Sequence, residues 1–334
     1  MQRSTRRGVF DPVCSQMKPK NGPAAARSRE KQNVAELNNW AGDGQRHQRS
    51  KKGQKMSQQA KLKILACQIS VPDNMQDATD RDAHLCRLVS VLDAALRRSC
   101  ADLVLLPELS SVSYSRHCFA NPDTFAEGIE GPTYEALAPI ARRHGCHILY
   151  GAPRQREHGK LSIGQFHVDE KGQPAGHFDK LHMAQFGASM EKDYFTPGSH
   201  LLVFEIGGLK LAPVICYDMR FAGLADELVR KRQVDVILHS VAFYRDASFY
   251  SWHSFVIARA LENQIYWLSL NRAGKDFGAS ILCPPWVDGQ SPPTICETTE
   301  DLVRFEIDSD RIVRARRDYT FAKDRLETYS ALPE

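Results

Sequence analysis

No apolar run in this chain approaches the roughly 20 residues of a membrane-spanning helix, and no secretory hydrophobic segment is present. No membrane partner is expected, and the expected location is the cytoplasm. Cys-x-x-Cys is also missing. The nine cysteines are odd in number and several lie in apolar runs, which is the pattern of free thiols in a reducing compartment rather than of a disulfide framework or zinc finger. The 12 histidines include no His-Glu-x-x-His and no His-x-His, so neither a metal nor another cofactor is expected. No internal repeat is evident.

Excess positive charge is confined to one segment. Residues 1–55 hold 13 Lys+Arg against 4 Asp+Glu, a net of +9, and the overall charge of +4 leaves −5 for the rest. The basic balance therefore belongs to a leader, and no nucleic-acid groove is expected on the folded part. That leader has few large apolar residues beyond Phe10, Leu37 and Trp40, too few to offset chain entropy, and it reads as disordered. Arg3, Arg6 and Arg7 suggest a mitochondrial presequence, but Asp11, Glu30, Glu36 and Asp43 argue against one. Met56, directly before the first strand, is the alternative start, and the folded domain is expected over 56–334.

Within that span, strand and helix patterns alternate without a dividing linker. Leu62–Ser70 reads as a strand, and Asp82–Arg98 as a helix with Leu85, Leu88, Val89, Leu92 and Leu96 on one face. A buried strand from Asp102 to Leu106, a helix over Thr133–His144 and a strand through His147–Tyr150 follow. Hairpins turn at Glu170-Lys171-Gly172 and at Gly207-Gly208. Then come a helix from Phe221 to about Arg232, a strand over Val234–Val241, a helix over Ser251–Asn263 and a strand over Ile265–Leu270. Strands near Ser280–Cys283 and Leu302–Ile307 end the pattern. Sheets covered by helices, an α/β fold, are expected. Cys67, Cys86, Cys100 and Cys146 fall in these elements and are expected to be buried.

Three strand ends carry chemistry. Cys216 ends the apolar run from Leu209 to Ile215 and leads straight into a helical pattern. That placement sets a thiol beside exposed backbone N–H groups and favours the thiolate. Its alternative is a small buried hydrophobe. Glu108 ends the run Leu103–Leu106 and suits general acid or base work if buried, or is simply an exposed loop glutamate. Lys180 sits in Phe178-Asp179-Lys180-Leu181-His182 and either stabilises an oxyanion or solvates a surface.

Pro107-Glu108, Lys180-Leu181-His182 and Val214-Ile215-Cys216-Tyr217-Asp218-Met219-Arg220-Phe221, in this order, resemble the nitrilase superfamily of carbon–nitrogen hydrolases. The resemblance runs from about Leu62 to about Tyr329. It implies an α-β-β-α sandwich, a Glu108–Lys180–Cys216 triad, and a second glutamate, Glu191, ahead of Pro197-Gly198. It further implies hydrolysis of a small linear amide through a cysteine thioester. The oxyanion would be held by Lys180 and the N–H of Tyr217. Tyr114, six residues past Glu108, either lines the pocket or is an ordinary loop tyrosine. The residues after Cys216 are similar to the omega-amidase and deaminated-glutathione amidase branch. The stretch from Glu191 to Gly198 looks more like N-carbamoyl amide hydrolases, and Ala222-Gly223 departs from the family's usual Pro-Glu. A catalytically silent binding protein on the same scaffold is a third reading. The resemblance also implies a homodimer joined through the helices after the nucleophile, with the two-fold near Trp252 and Phe255. Asp218 and Arg220 are expected to pair and pin the turn, with Trp252 and His253 packing and Arg259 pairing with Glu262.

Overall fold

The computed structural model describes residues 59–326 and Thr328; the basic leader, residues 1–55, lies outside the described residues. In chain order the elements are β1 (Lys61–Gln68), α1 (Ala78–Arg98), β2 (Leu103–Leu105), α2 (Arg116–Ala120), α3 (Pro122–Phe125), α4 (Pro132–His144) and β3 (His147–Gln155). They continue with β4 (Leu161–Val168), β5 (Pro174–Asp179), β6 (Phe204–Ile206), β7 (Leu209–Ile215), α5 (Ala222–Asp226), β8 (Val236–Ser240) and α6 (Phe249–Asn263). The last are β9 (Tyr266–Leu270), β10 (Ile281–Cys283), β11 (Thr294–Ile295), β12 (Asp301–Asp308), α7 (Ser309–Asp318) and α8 (Phe321–Asp324). The helix after the nucleophile continues past α5 as a wider π-type coil over Glu227–Lys231.

The strands form two six-stranded sheets, ordered β12-β1-β2-β3-β4-β5 and β11-β10-β9-β8-β7-β6. Each has a parallel centre, β1-β2-β3 in one and β7-β8-β9 in the other, flanked by antiparallel strands. Strand alternation sends one side chain in two to each face. Leu62, Ile64, Leu103 and Leu105 therefore meet Leu211, Val236, Leu238 and Leu268 between the sheets. The opposite faces are covered by helices. Leu88 and Leu92 of α1 and Leu137 and Ile140 of α4 pack on Leu65, Val104 and Ile148. Trp252, Val256 and Ala260 of α6, with Ala225 of α5, pack on Ala212, Val214 and Ile237. This is an α-β-β-α sandwich.

Trp252 packs, as expected: it is fully buried in its own protomer, its Nε1 donating to Ser269 Oγ at 2.9 Å, and it leaves no apolar surface for a partner to cover. Its large apolar ring is instead consumed by the sheet beneath, stacked on Phe243 at 5.3 Å. Cys67 and Cys146 are buried, but Cys100 is exposed, because it lies beyond the Ser99 cap of α1 in the loop to β2. Among the described residues seven cysteines are free.

Candidate active site

In open α/β sheets the carboxyl ends of parallel strands converge on one crevice, because every crossover returns the chain to the opposite edge. Here the residue sets that follow β2, β7, β8 and β9, joined by the end of β5, meet at such an edge. Glu108 comes from the loop after β2, Lys180 directly follows β5, and Cys216 directly follows β7. Lys180 Nζ donates to Glu108 Oε1 at 2.8 Å and to Glu191 Oε1 at 2.6 Å, and the three side chains are essentially shut off from solvent. Glu191 Oε1 also accepts from the Tyr114 hydroxyl at 3.0 Å, and its Oε2 accepts from the Ala184 N–H at 2.8 Å. Glu108 Oε2 accepts from the N–H of Ala242, after β8, at 2.8 Å.

Electrostatics at this cluster are dominated by burial. Burial alone would lower the Lys180 pKa, but the carboxylates of Glu108 and then Glu191 outweigh it and hold the ammonium charged, well above its ordinary range. Glu191 is raised by burial, with Lys180 pulling it down and Glu108 pushing it up. Burial, and then the Glu108 charge, pushes the Cys216 thiol well up; Lys180 and the Ala242 N–H act in the other direction and do not prevail. The turn was expected to favour the thiolate, but desolvation of the sulfur beside the Glu108 carboxylate outweighs Lys180 and the Ala242 N–H, so the thiol form is favoured and the nucleophile needs a base.

The backbone around the cluster is strained and braced. Cys216 has φ 44° and Leu109, directly after Glu108, has φ 50°, the left-handed region that costs a side-chain-bearing residue about 1–3 kcal/mol. Arg272, buried after β9, holds the Glu108 loop by donating to the carbonyls of Glu108 (3.2 Å), Leu109 (2.7 Å) and Val112 (3.0 Å). Gly151 on β3 lies beneath the same loop. A Cβ there would come within 2.5 Å of Leu109 N and 2.7 Å of Pro107 O, so only glycine lets the loop sit this low. Gly198 has the same relation to the lysine, since a Cβ would meet Asp179 O at 2.3 Å, and its N–H donates to Lys180 O at 2.8 Å.

The Cys216 turn is held from two sides. Contrary to expectation, Asp218 does not pair with Arg220. Its Oδ1 accepts from His182 N at 3.0 Å and contacts His182 Nδ1 at 2.7 Å, and its Oδ2 accepts from Ile215 N at 3.2 Å, which ties the nucleophile turn to the lysine loop. Arg220 turns away to donate to Ser251 Oγ and Ser248 O, with Phe255 under its guanidinium at 4.9 Å. Arg259 bonds Glu262 at 3.0 Å and donates to the carbonyls of Met219 and Arg220, and His253 bonds Ala279 O at 2.7 Å, so both are structural.

On the other side His239 Nε2 bonds Cys216 O at 2.9 Å, and its Nδ1 bonds Ser269 Oγ at 2.9 Å, which itself accepts from Trp252 Nε1. An indole can only donate and a carbonyl can only accept. The serine hydroxyl must then donate to Nδ1, and the imidazole carries its proton on Nε2. Burial lowers its pKa to about 3, keeping it in that neutral form. His239, Ser269 and Arg272 were missed in the sequence. The available signal was polar residues inside or just after the apolar runs Val236–Val241 and Tyr266–Leu270.

Above Cys216 opens a cavity of about 340 Å³, lined by Tyr114, Tyr217, Phe243 and Ala242 among others. Both tyrosines expected at the pocket thus reach it. Among the described residues no group of His, Cys, Asp and Glu side chains is arranged to hold a metal ion, and no helix is long and apolar enough to cross a membrane.

A family model described as carbon-nitrogen hydrolase matches residues 63–317. The chain belongs to the carbon-nitrogen hydrolase family. It is 31% identical over 217 residues to 2-oxoglutaramate amidase of Bacillus subtilis (strain 168), covering 62% of this chain and 78% of that protein. It is 25% identical over 265 residues to an omega-amidase of Xenopus tropicalis, covering 76% and 93%. Saccharomyces cerevisiae Nit3, a member of branch 10 of the nitrilase superfamily, superimposes with a TM-score of 0.68 at 22% identity over 80% of this chain and 97% of its own, a likeness of fold. This carbon-nitrogen hydrolase is an enzyme acting on C–N bonds.

Proposed function

We propose that this carbon-nitrogen hydrolase cleaves the terminal amide of a small linear molecule through a cysteine thioester and releases ammonia. The observation that carries the reading is the solvent-shielded Glu108–Lys180–Glu191 relay, whose charges all bear on the Cys216 thiol. A thiol at rest must lose its proton on attack. Glu108 takes that proton as Sγ bonds the carbonyl carbon. The oxyanion is stabilised by the Lys180 ammonium and the Tyr217 N–H. Glu108 passes the proton to the nitrogen as the C–N bond breaks, ammonia leaves, and a thioester remains. Water then attacks, losing a proton to Glu108, and Cys216 departs as the thiol. Both Glu191 oxygens are occupied by Lys180, Tyr114 and Ala184, which supports a positioning role for it rather than proton transfer.

Curated relatives named 2-oxoglutaramate amidase, omega-amidase and deaminated glutathione amidase support an amide over a nitrile. The test is a panel of aliphatic amides, N-carbamoyl amines and nitriles with ammonia as readout. Amide turnover that disappears in Cys216→Ala is the expected result. Preference for carbamoyl amines would select the N-carbamoyl amide hydrolase reading. No turnover on any class would select the silent binding protein. We also propose a homodimer through α5 and α6, where Tyr250 is 88% exposed; a monomeric mass by light scattering with full activity would oppose it.

A further inference from the structure

The cavity over Cys216 has one sign of charge. Its lining includes Asp73, Asp246 and Asp276, and among the described residues no Lys, Arg or His lines it. The charges beneath are balanced, since Lys180 stands between Glu108 and Glu191, and the buried Arg272 lies against the Glu108 backbone, from where its charge also acts on Asp73. At the mouth, Arg220 acts on Asp246 but stands behind the walls, 6.0 Å from the Phe186 ring and 5.9 Å from Phe243; its two Nη atoms donate to Ser251 and Ser248, while its buried Nε has no partner. Arg245 is turned outward, its Nε on Phe277 O at 2.8 Å and its guanidinium 4.3 Å over Phe249. Asp73 and Asp276 form no salt bridge among the described residues.

A second, independent feature points the same way. The walls carry two aromatic pairs, Phe186 with Tyr217 at 5.2 Å and Tyr244 with Phe277 at 5.7 Å. Phe186 is 39% and Tyr244 42% exposed, large rings left open at the mouth of the site. Aromatic faces are electron-rich and attract a desolvated ammonium, while carboxylates at the rim draw it in and repel an anion.

We propose that the pocket selects an amide whose far end carries a positive charge, an ammonium or guanidinium, with Asp73 and Asp276 as the specificity-determining carboxylates and the aromatic walls as the seat. This rests on the amidase reading for the amide end alone. The charge preference is a property of the cavity and can be read without turnover.

The experiment therefore has two arms. In the first, Cys216 is labelled with 2-aminoethyl methanethiosulfonate, which is cationic, and with the anionic 2-sulfonatoethyl reagent. Rates are read by mass spectrometry and divided by those of exposed Cys100 in the same sample. The cationic reagent should be favoured at Cys216 by about tenfold or more, the low end of the effect of a cleft lined by one sign of charge. Asp73→Asn and Asp276→Asn should each reduce that ratio, and so should high salt. In the second arm, ammonia release is compared for 5-aminopentanamide, pentanamide and succinamate, with the cationic amide expected to have the highest kcat/KM. A labelling ratio of one or below, or a ratio unmoved by both substitutions, overturns the charge proposal. A cationic labelling preference with no hydrolysis of any amide sustains it and overturns the amidase reading instead. Preferred hydrolysis of succinamate overturns the proposal and leaves the amidase reading standing.

Discussion

Replacing Lys180 by Met separates what the buried relay does for stability from what it does for chemistry. The ammonium is fully buried and bridges Glu108 and Glu191 at 2.8 and 2.6 Å. Met fills similar volume and leaves two carboxylates facing each other without a cation. Removing one partner of a buried ion pair costs about 3–5 kcal/mol. With a urea slope of about 3 kcal/mol/M, the midpoint should fall by about 1–1.7 M at pH 8. The loss has a definite pH dependence. Glu191 is already raised by burial and by Glu108 against the pull of Lys180, so removing Lys180 raises it further. A carboxyl whose folded pKa is raised binds a proton in the folded state that the unfolded chain has released. Stability of the variant therefore falls as pH rises above the unfolded value of 4.5 and levels off above the folded one. The deficit should be small near pH 5 and full at pH 8. Adding Glu191→Gln removes the excess charge and should restore much of the midpoint at pH 8. Turnover should stay at least about 10²-fold down, since an oxyanion donor is still missing. Equal midpoint shifts at pH 5 and pH 8, or no recovery in the double variant, would refute the reasoning.

Glu127 is buried with Oε2 on Thr133 N at 2.8 Å, and burial raises its pKa to about 7. The shift makes wild-type stability fall by about 3 kcal/mol as pH rises from 4.5 through 7, and Glu127→Gln should flatten that slope in urea titrations at fixed pH values. Gly151→Ala pushes on the Glu108 loop from below. It should lower kcat by about 10²-fold, the cost of a displacement near 1 Å, and the labelling rate of Cys216 should change with it. His239→Leu removes the donor to Cys216 O and should lower kcat by about 10–100-fold with little change in KM. His239→Gln can still donate to Cys216 O and accept from Ser269, so it should recover much of the loss; equal loss in both variants would show a packing role only.

Local patterns were legible wherever one face of an element is buried. The face of α1 reads directly from Leu85, Leu88 and Leu92, and the runs 103–106 and 209–215 announce buried strands, because alternation and 3.6-residue periodicity are properties of neighbouring residues. The functional ends of those strands were legible for the same reason, since Glu108, Lys180 and Cys216 each break an apolar run. Their meeting was not, except through resemblance to a family. Lys180 reaches Glu108 across 72 positions and Glu191 across 11, distances set by the sheet order rather than by the intervening chain. Sequence by itself determined which segments would be strands and helices and where polar chemistry interrupts them. Only the tertiary structure decided that Asp218 bonds His182 rather than Arg220, that Trp252 is spent on Ser269, and that His239 anchors the nucleophile's carbonyl. It also decided that Cys216 rests as a thiol. Burial and the nearness of Glu108 govern that proton, and both arise when separate strand ends are brought to one edge and water is shut out.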